Sequence, residues 1–292
     1  MAKFIISTES TSDLTYEFAK EHDIKIIPMS YYIDNVNYEG TKEDSLGGHE
    51  FFDRMREGSM PTTAMVSYLA AEAFFEPFLK EGLDILHIGF SSSLSGTCEN
   101  IITASKNLKK KYPDRKVIVI DSRCASSGEG LLAYLTAKKR SEGASFDDTV
   151  KYGQDTVQKV IHYFTVNDLY HLHRGGRISK AKAVIGSLLG IKPVLHVDAE
   201  GRLVPLSNAR GRKKALLALV EKFGERNKGR NDLIFINHGD CLEDAEFVVE
   251  EIKARYGFKN FVINYIGPVI GSHSGPGTVA LFFTGEERTE KY

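Results

Sequence analysis

Three short apolar runs, Lys3–Ser7, Ile85–Gly89 and Val117–Asp121, each lead into a polar loop, and a helix-like segment follows each one (Leu14–Glu21, 99–110 and Gly128–Arg140). Short apolar strands separated by helices pack as a parallel sheet with helices on both faces. The three loops, Ser7–Asp13, Phe90–Thr97 and Asp121–Gly130, then gather at the carboxyl ends of the strands. In open α/β sheets that edge is where ligands bind.

The Phe90–Thr97 loop reads Phe-Ser-Ser-Ser-Leu-Ser-Gly-Thr, so five of its eight residues carry hydroxyls. At a strand-to-helix junction the backbone N–H groups are free and the helix dipole is positive. Hydroxyls add donors, and Gly96 allows close approach to the backbone. That combination holds a carboxylate or phosphate. It equally makes an ordinary helix cap, and the segment alone does not separate the two.

Other segments offer partners. Thr62-Thr63 follows Pro61 and precedes a helix, Leu69–Lys80, so it reads either as an N-cap or as a second hydroxyl donor. Gly271–Gly277 is glycine-dense and carries His273, read either as a tight connection between strands or as a donor or cation beside an anion. Leu172–Ser179 contains Gly175-Gly176-Arg177, either a helix C-cap or an arginine for a phosphate, a carboxylate or an acidic partner. His171 and His173 have the spacing of one strand face, but no carboxylate or cysteine set accompanies them, so no metal site is expected. Arg210–Lys214 is a basic cluster opening a helix, better suited to partner docking than to nucleic acid.

The 292 residues suffice for two ordinary domains. From Val160 the pattern changes to Val160–Val166, a hairpin of Ile191–Val197 and Arg202–Leu206, and further strands at Leu233–Asn237, Phe261–Ile266 and Val279–Phe283. The expected domains are therefore 1–158 and 159–292. Hydrophobic content of 42% supports a buried core, and a net charge of −1 argues against nucleic acid or anionic membrane as partners. Three scattered cysteines fit reduced thiols, and the N-terminus reads as neither signal peptide nor membrane span, so a cytoplasmic location is expected. The phosphate-loop, nucleophile-elbow and dinucleotide fingerprints are absent. A Ser95–His273 pair acting as nucleophile and base, in a serine hydrolase of acyl esters, stands as an alternative function.

Taken together, Ser-Ser-Ser-Leu-Ser-Gly-Thr at 91–97, Asp121-Ser122 with Ser126 and Gly128–Gly130, Gly175-Gly176-Arg177-Ile178 with Ile191-Lys192-Pro193-Val194, and Ile266-Gly267-Pro268 through Gly277 resemble the DegV family over nearly the full length. The resemblance implies two α/β domains, an N-terminal parallel-sheet three-layer unit and a C-terminal mixed-sheet unit, with the ligand between them. It implies a bacterial fatty-acid-binding protein rather than an enzyme, with no cofactor beyond the bound fatty acid. Some members are the acyl-carrying subunit of a fatty acid kinase, whose separate ATP-binding subunit phosphorylates the carboxylate. By that pattern Ser95 and Gly96 contact the carboxylate, Thr63 shares it, His273 is linked to it from the second domain, and Arg177 engages the kinase subunit. An acyl tunnel is expected, with Ala181–Leu189 and Phe261–Ile266 as candidate walls. Two departures stand out: Glu9 replaces the usual Asp, and Thr63-Ala64-Met65-Val66-Ser67 keeps only the outer residues of the usual Thr-Ser-Gln-Pro-Ser.

Overall fold

The computed structural model describes residues 3–40, 46–179, 190–227 and 233–289. In the first half, β1 (Phe4–Glu9), α1 (Tyr16–Glu21), β2 (Ile24–Ile27), β3 (Ser30–Ile33) and β4 (Val36–Glu39) precede α2 (Gly48–Arg56). Then come β5 (Thr62–Thr63), α3 (Tyr68–Lys80), β6 (Asp84–Gly89), α4 (Thr97–Lys111), β7 (Val117–Asp121), α5 (Ser127–Ser141) and α6 (Phe146–Thr156). The second half holds β8 (Val160–Thr165), α7 (Tyr170–Arg174), β9 (Ile191–Val197), β10 (Leu203–Arg210) and α8 (Arg212–Arg226). It ends with β11 (Ile234–His238), α9 (Leu242–Tyr256), β12 (Phe261–Tyr265), α10 (Pro268–Ser274) and β13 (Val279–Thr284).

Two main sheets result. The first has the order β2-β1-β6-β7 and is parallel at every pairing. The second has the order β10-β9-β8-β13-β11-β12, antiparallel except for β11 against β12. A small sheet, β4-β3-β5, sits beside the first. The chain passes from one main sheet to the other through the turn Val157–Lys159.

The layers run helix, sheet, helix, sheet, helix. One face of the first sheet packs Ile5 and Ile85 against Phe75 of α3 and Ile101 of α4. Its other face, with Ile6 and Leu86, meets Leu131 and Leu132 of α5. That same cluster continues into Val160, Phe164 and Phe282 of the second sheet, whose far side is covered by α8 and α9. The two halves therefore share one core through α5, which packs on β1 and β6 and also on β8, β11 and β13.

Small residues let α5 lie so deep. A Cβ on Gly128 would fall 1.9 Å from His162 Nε2, and one on Gly130 would fall 2.6 Å from the Ser12 carbonyl oxygen. Contact on both flanks also explains why residues 127–133 of this helix are buried without a break.

Several local expectations change. Thr62-Thr63 is neither loop nor N-cap: it forms β5 against Tyr31 and Tyr32, and Ser67 caps α3 by accepting from Ala70 N (3.1 Å). Residues 268–274 form a helix, with Pro268 in its first turn and Gly275 at φ 78° ending it, rather than a tight connection between strands. His171 and His173 lie two apart on α7 and so do not share a face. Helix α6, whose buried face is Phe146, Thr149, Gly153 and Thr156, and strand β4, which is at most half-buried, lack a marked apolar pattern and were not anticipated.

Candidate ligand-binding site

A cavity of about 320 Å3 opens where the carboxyl ends of β1, β6 and β7 face the second sheet. That volume is within the range of small-molecule sites. Its walls are largely apolar and come from both halves, including Phe90, Leu94, Phe164, Val269, Ile270 and Phe282. Of the expected Phe261–Ile266 wall only Ile266 reaches it, because β12 is the outer edge of its sheet. Ala181–Leu189 lies outside the described residues.

Thr63, Ser95, His273 and Arg177 all line this cavity. Thr63 Oγ1 and His273 Nε2 are hydrogen-bonded at 2.8 Å, joining β5 to α10. His273 is half-buried, and burial, then the charges of Arg177 and Arg174, push its pKa down to about 3. It is a neutral imidazole, not the cation beside an anion that the sequence also allowed. Its Nδ1 is buried and meets no partner.

Ser95 Oγ accepts from Thr97 N (3.2 Å) and donates to Thr97 Oγ1 (3.1 Å), so it caps the start of α4 while facing the cavity. Thr97 Oγ1 in turn accepts from Val66 N (3.3 Å), and Asn100 Nδ2 donates to Val66 O (2.8 Å). These two residues of α4 fasten the Thr63–Ser67 segment to the serine loop. Gly96 is not part of the cavity wall. A Cβ there would lie 2.7 Å from Met65 Sδ, so the thioether covers its open face.

Arg177 is half-buried, donating from Nε to Leu94 O (3.1 Å) and from Nη1 to Gly175 O. It ties the second half to the serine loop instead of projecting toward solvent. Arg174, not singled out from sequence, donates from Nη2 to both Pro61 O (3.1 Å) and Ser272 O (2.9 Å). It thus clamps the segment before Thr63 to the helix of His273. The basic Arg210–Lys214 cluster is remote from the cavity wall, and Arg212 pairs with Asp244 (2.7 Å).

Buried acids organise the loops from behind. Glu9 accepts from Phe90 N with both oxygens (3.3 and 3.1 Å), and Glu129 accepts from Thr8 (2.6 Å) and Thr11 (2.9 Å). Burial raises both carboxyls, Glu9 to about 7 and Glu129 well above its ordinary value, and the Glu9 backbone N–H donates to Glu129 Oε1 (3.3 Å). Asp13, with φ 51°, accepts from Ser126 Oγ and from Gly267 N (3.0 Å), while Asn237 Nδ2 reaches Ser126 (3.1 Å) and Ser127 (2.8 Å). The only sequence signals for this knot are an Asp closing the first polar loop and an Asn inside an apolar strand.

A hydrolytic triad is not assembled. Among the described residues neither the Ser95 hydroxyl nor a carboxylate is bonded to His273, whose partner is Thr63. Among the described residues no group of three or more metal-ligating side chains occurs, and no helix is long and apolar enough to cross a membrane.

A family model described as an uncharacterised protein family, DegV, matches residues 3–286. The chain belongs to the DegV family. A DegV domain-containing protein of Clostridium perfringens is 42% identical over 289 residues, covering 99% of both chains. A solved DegV family protein of Thermus thermophilus, described as fatty-acid-binding, superposes with a TM-score of 0.87 at 28% identity, covering 97% of this chain and 99% of the other. DegV of Bacillus subtilis, described as a fatty acid binding protein, gives 0.83 at 30% identity, covering 98% and 100%. The stretches of this chain that resemble the DegV family converge in space. The serine loop, Ser126, Arg177 and the Ile266–Gly277 segment all contribute to one cavity.

Proposed function

We propose that this DegV protein binds a long-chain fatty acid, buries the acyl chain in the cavity between the two sheets, and presents the carboxylate to an ATP-dependent kinase subunit, catalysing no reaction itself. The observation that carries this reading is the joining of Thr63, Ser95, His273 and Arg177 to an otherwise largely apolar cavity. Burial of apolar chain contributes roughly 0.8 kcal/mol per methylene, so about 14–18 carbons supply on the order of ten kcal/mol before ordering and association costs. The headgroup then needs to be satisfied rather than tightly held. A neutral His273 donating from Nε2 leaves the Thr63 hydroxyl proton for a carboxylate oxygen. Ser95 Oγ turns its proton from Thr97 to the other oxygen, and Arg177 supplies positive potential nearby.

Native mass spectrometry and solvent extraction of purified protein test the binding. A copurified fatty acid, or uptake of an added one at one per chain, is the expected result. Protein that is isolated empty and takes up no long-chain acid overturns the reading. Transfer of phosphate from ATP to the bound acid in the presence of a fatty acid kinase subunit tests the second part separately.

A further inference from the structure

Helices α7 and α10 meet through glycines. Asn167, just before α7, packs against Gly277, where a Cβ would fall 1.8 Å from its Nδ2. His171 packs against Gly275, where a Cβ would fall 2.3 Å from its Cδ2. The third pair is reversed: the glycine is Gly175, at the end of α7, and the ring that fills its open side is that of His273. Arg174 donates to Ser272 O (2.9 Å), so residues 174 and 175 hold residues 272 and 273 in turn.

Gly175 and Gly176 have different tasks. Gly176, at φ 76° with nothing near its Cβ position, turns the chain. Gly175 has a right-handed helical backbone, φ −72° and ψ −8°, which alanine adopts more readily. What alanine lacks there is room. Its Cβ would fall 2.2 Å from His273 Nδ1, and the ring is held on its other side by Thr63 Oγ1, 2.8 Å from Nε2.

The direction of this contact matters as much as its length. The Cβ position of Gly175 is 3.2 Å from both Cγ and Cε1 of His273, the two ring atoms that flank Nδ1. A position above the ring would lie nearer to both. This one therefore stands in the ring plane, on the axis along which an Nδ1–H would point. In glycine a hydrogen takes that direction. A proton on Nδ1 would be driven into it, whereas a bare lone pair receives it as a weak C–H contact. Nδ1 is buried and has no acceptor among the described residues, and an orphaned buried N–H is rare in folded proteins. Nε2 has Thr63 within hydrogen-bond distance.

We propose that Gly175 is a positioning residue for His273. It seats Nδ1 as a bare lone pair, which places the single ring proton on Nε2 and leaves the Thr63 hydroxyl free to donate to a ligand. The tautomer follows from the packing alone. Its use, turning the Thr63 proton toward a carboxylate, rests on the fatty-acid reading.

Nitrogen-15 NMR of the histidine rings tests the tautomer in the intact protein at neutral pH, with the signal missing from His273→Ala identifying the ring. Nε2 should read as protonated and Nδ1 as bare; a protonated Nδ1 overturns the proposal. Gly175→Ala should shift the Nε2–H signal as the ring leaves Thr63, and an unchanged signal overturns the proposal too. The same substitution should lower Tm by about 3–8 °C in the wild-type background and by almost nothing in His273→Ala, where the ring is gone. An equal drop in both backgrounds means that Gly175 does not act through His273. On the fatty-acid reading, Gly175→Ala also lowers phosphorylation of the bound acid by about tenfold or more and adds nothing to the loss in His273→Ala. Protein that takes up no fatty acid would sink that reading and leave the NMR result standing. Should Gly175→Ala fail to fold, the wild-type spectrum decides alone.

Discussion

Thr63 and His273 are separated by 210 residues in sequence and by 2.8 Å in space. Their hydrogen bond spans the two halves of the chain at the wall of the cavity. Arg174 supports it by holding Pro61 O and Ser272 O with one guanidinium nitrogen. When Nε2 carries the imidazole proton, the Thr63 hydroxyl accepts it and keeps its own proton free for a second acceptor.

Ser95→Ala and His273→Ala should each lower phosphorylation of the bound acid far more than they lower binding. The loss expected is about 10- to 100-fold, the worth of one hydrogen bond to a charged group. On the proposed function the acyl chain supplies most of the affinity, so mass spectrometry should still find the ligand at near-wild-type occupancy. Equal loss of ligand and phosphorylation in both variants would show that the headgroup contacts carry the affinity.

Gly128→Ala should destabilise the fold strongly although alanine is the better helix former. The added Cβ falls 1.9 Å from His162 Nε2, a side chain buried between α5 and the second sheet. Overpacking of this kind costs about 1–3 kcal/mol or more, against roughly 1 kcal/mol gained from propensity. Urea unfolding should show a lower midpoint. A midpoint at or above wild type would mean that α5 does not lie where its contacts place it.

Asp13 gives a signed pH dependence. Burial raises its carboxyl from 3.8 to about 7, against hydrogen bonds from Ser126 and Gly267 that favour the anion. A folded-state pKa above the unfolded one makes the folded form the better proton binder. Its contribution is then complete below about pH 4 and is lost as pH rises toward 7. The buried histidines 87 and 162 and the half-buried His273 shift the other way, losing stability as pH falls below 6.5, and mask the effect in the wild-type curve. Asp13→Asn isolates it: the stability of the variant relative to wild type should improve by roughly 1 kcal/mol per unit between pH 5 and 7, then level off. A pH-independent difference would place the Asp13 carboxyl in its ordinary range.

The first sheet was readable because parallel strands buried on both faces leave uninterrupted apolar runs, as at Ile85–Gly89. The loops at its carboxyl edge were readable from the same runs. Their partners were not. Thr63 and His273 meet only through the packing of α10 on β5, and α10 itself is hidden by the glycines and proline that surround it. Helix α6 was missed although Ser145 and Asp148 mark its start, because its buried face is Phe146, Thr149, Gly153 and Thr156 rather than a stripe of large apolar residues. Arg174 and Asp13 were missed for a different reason. Each acts on backbone groups brought from distant segments, and neither spacing nor periodicity encodes such a contact.

Gly96 reads differently once Met65 is placed. The glycine was expected to offer bare backbone to the carboxylate, yet the Met65 sulfur occupies that face, and Met65 is 57% exposed while also lining the cavity. The thioether is thus a cover over the serine loop, carried by a segment pinned at Val66 by Thr97 and Asn100. Gly96→Ala should push this flexible side chain aside with little loss of stability, because a thioether moves more cheaply than backbone. Release of a fluorescent fatty acid should then be faster, by about tenfold if the cover accounts for one buried thioether's worth of contact. Met65→Ala should speed release to the same degree, and the double variant should add nothing further, since both changes remove one and the same contact. Additive effects in the double variant would mean that Gly96 touches the ligand directly and that Met65 covers something else.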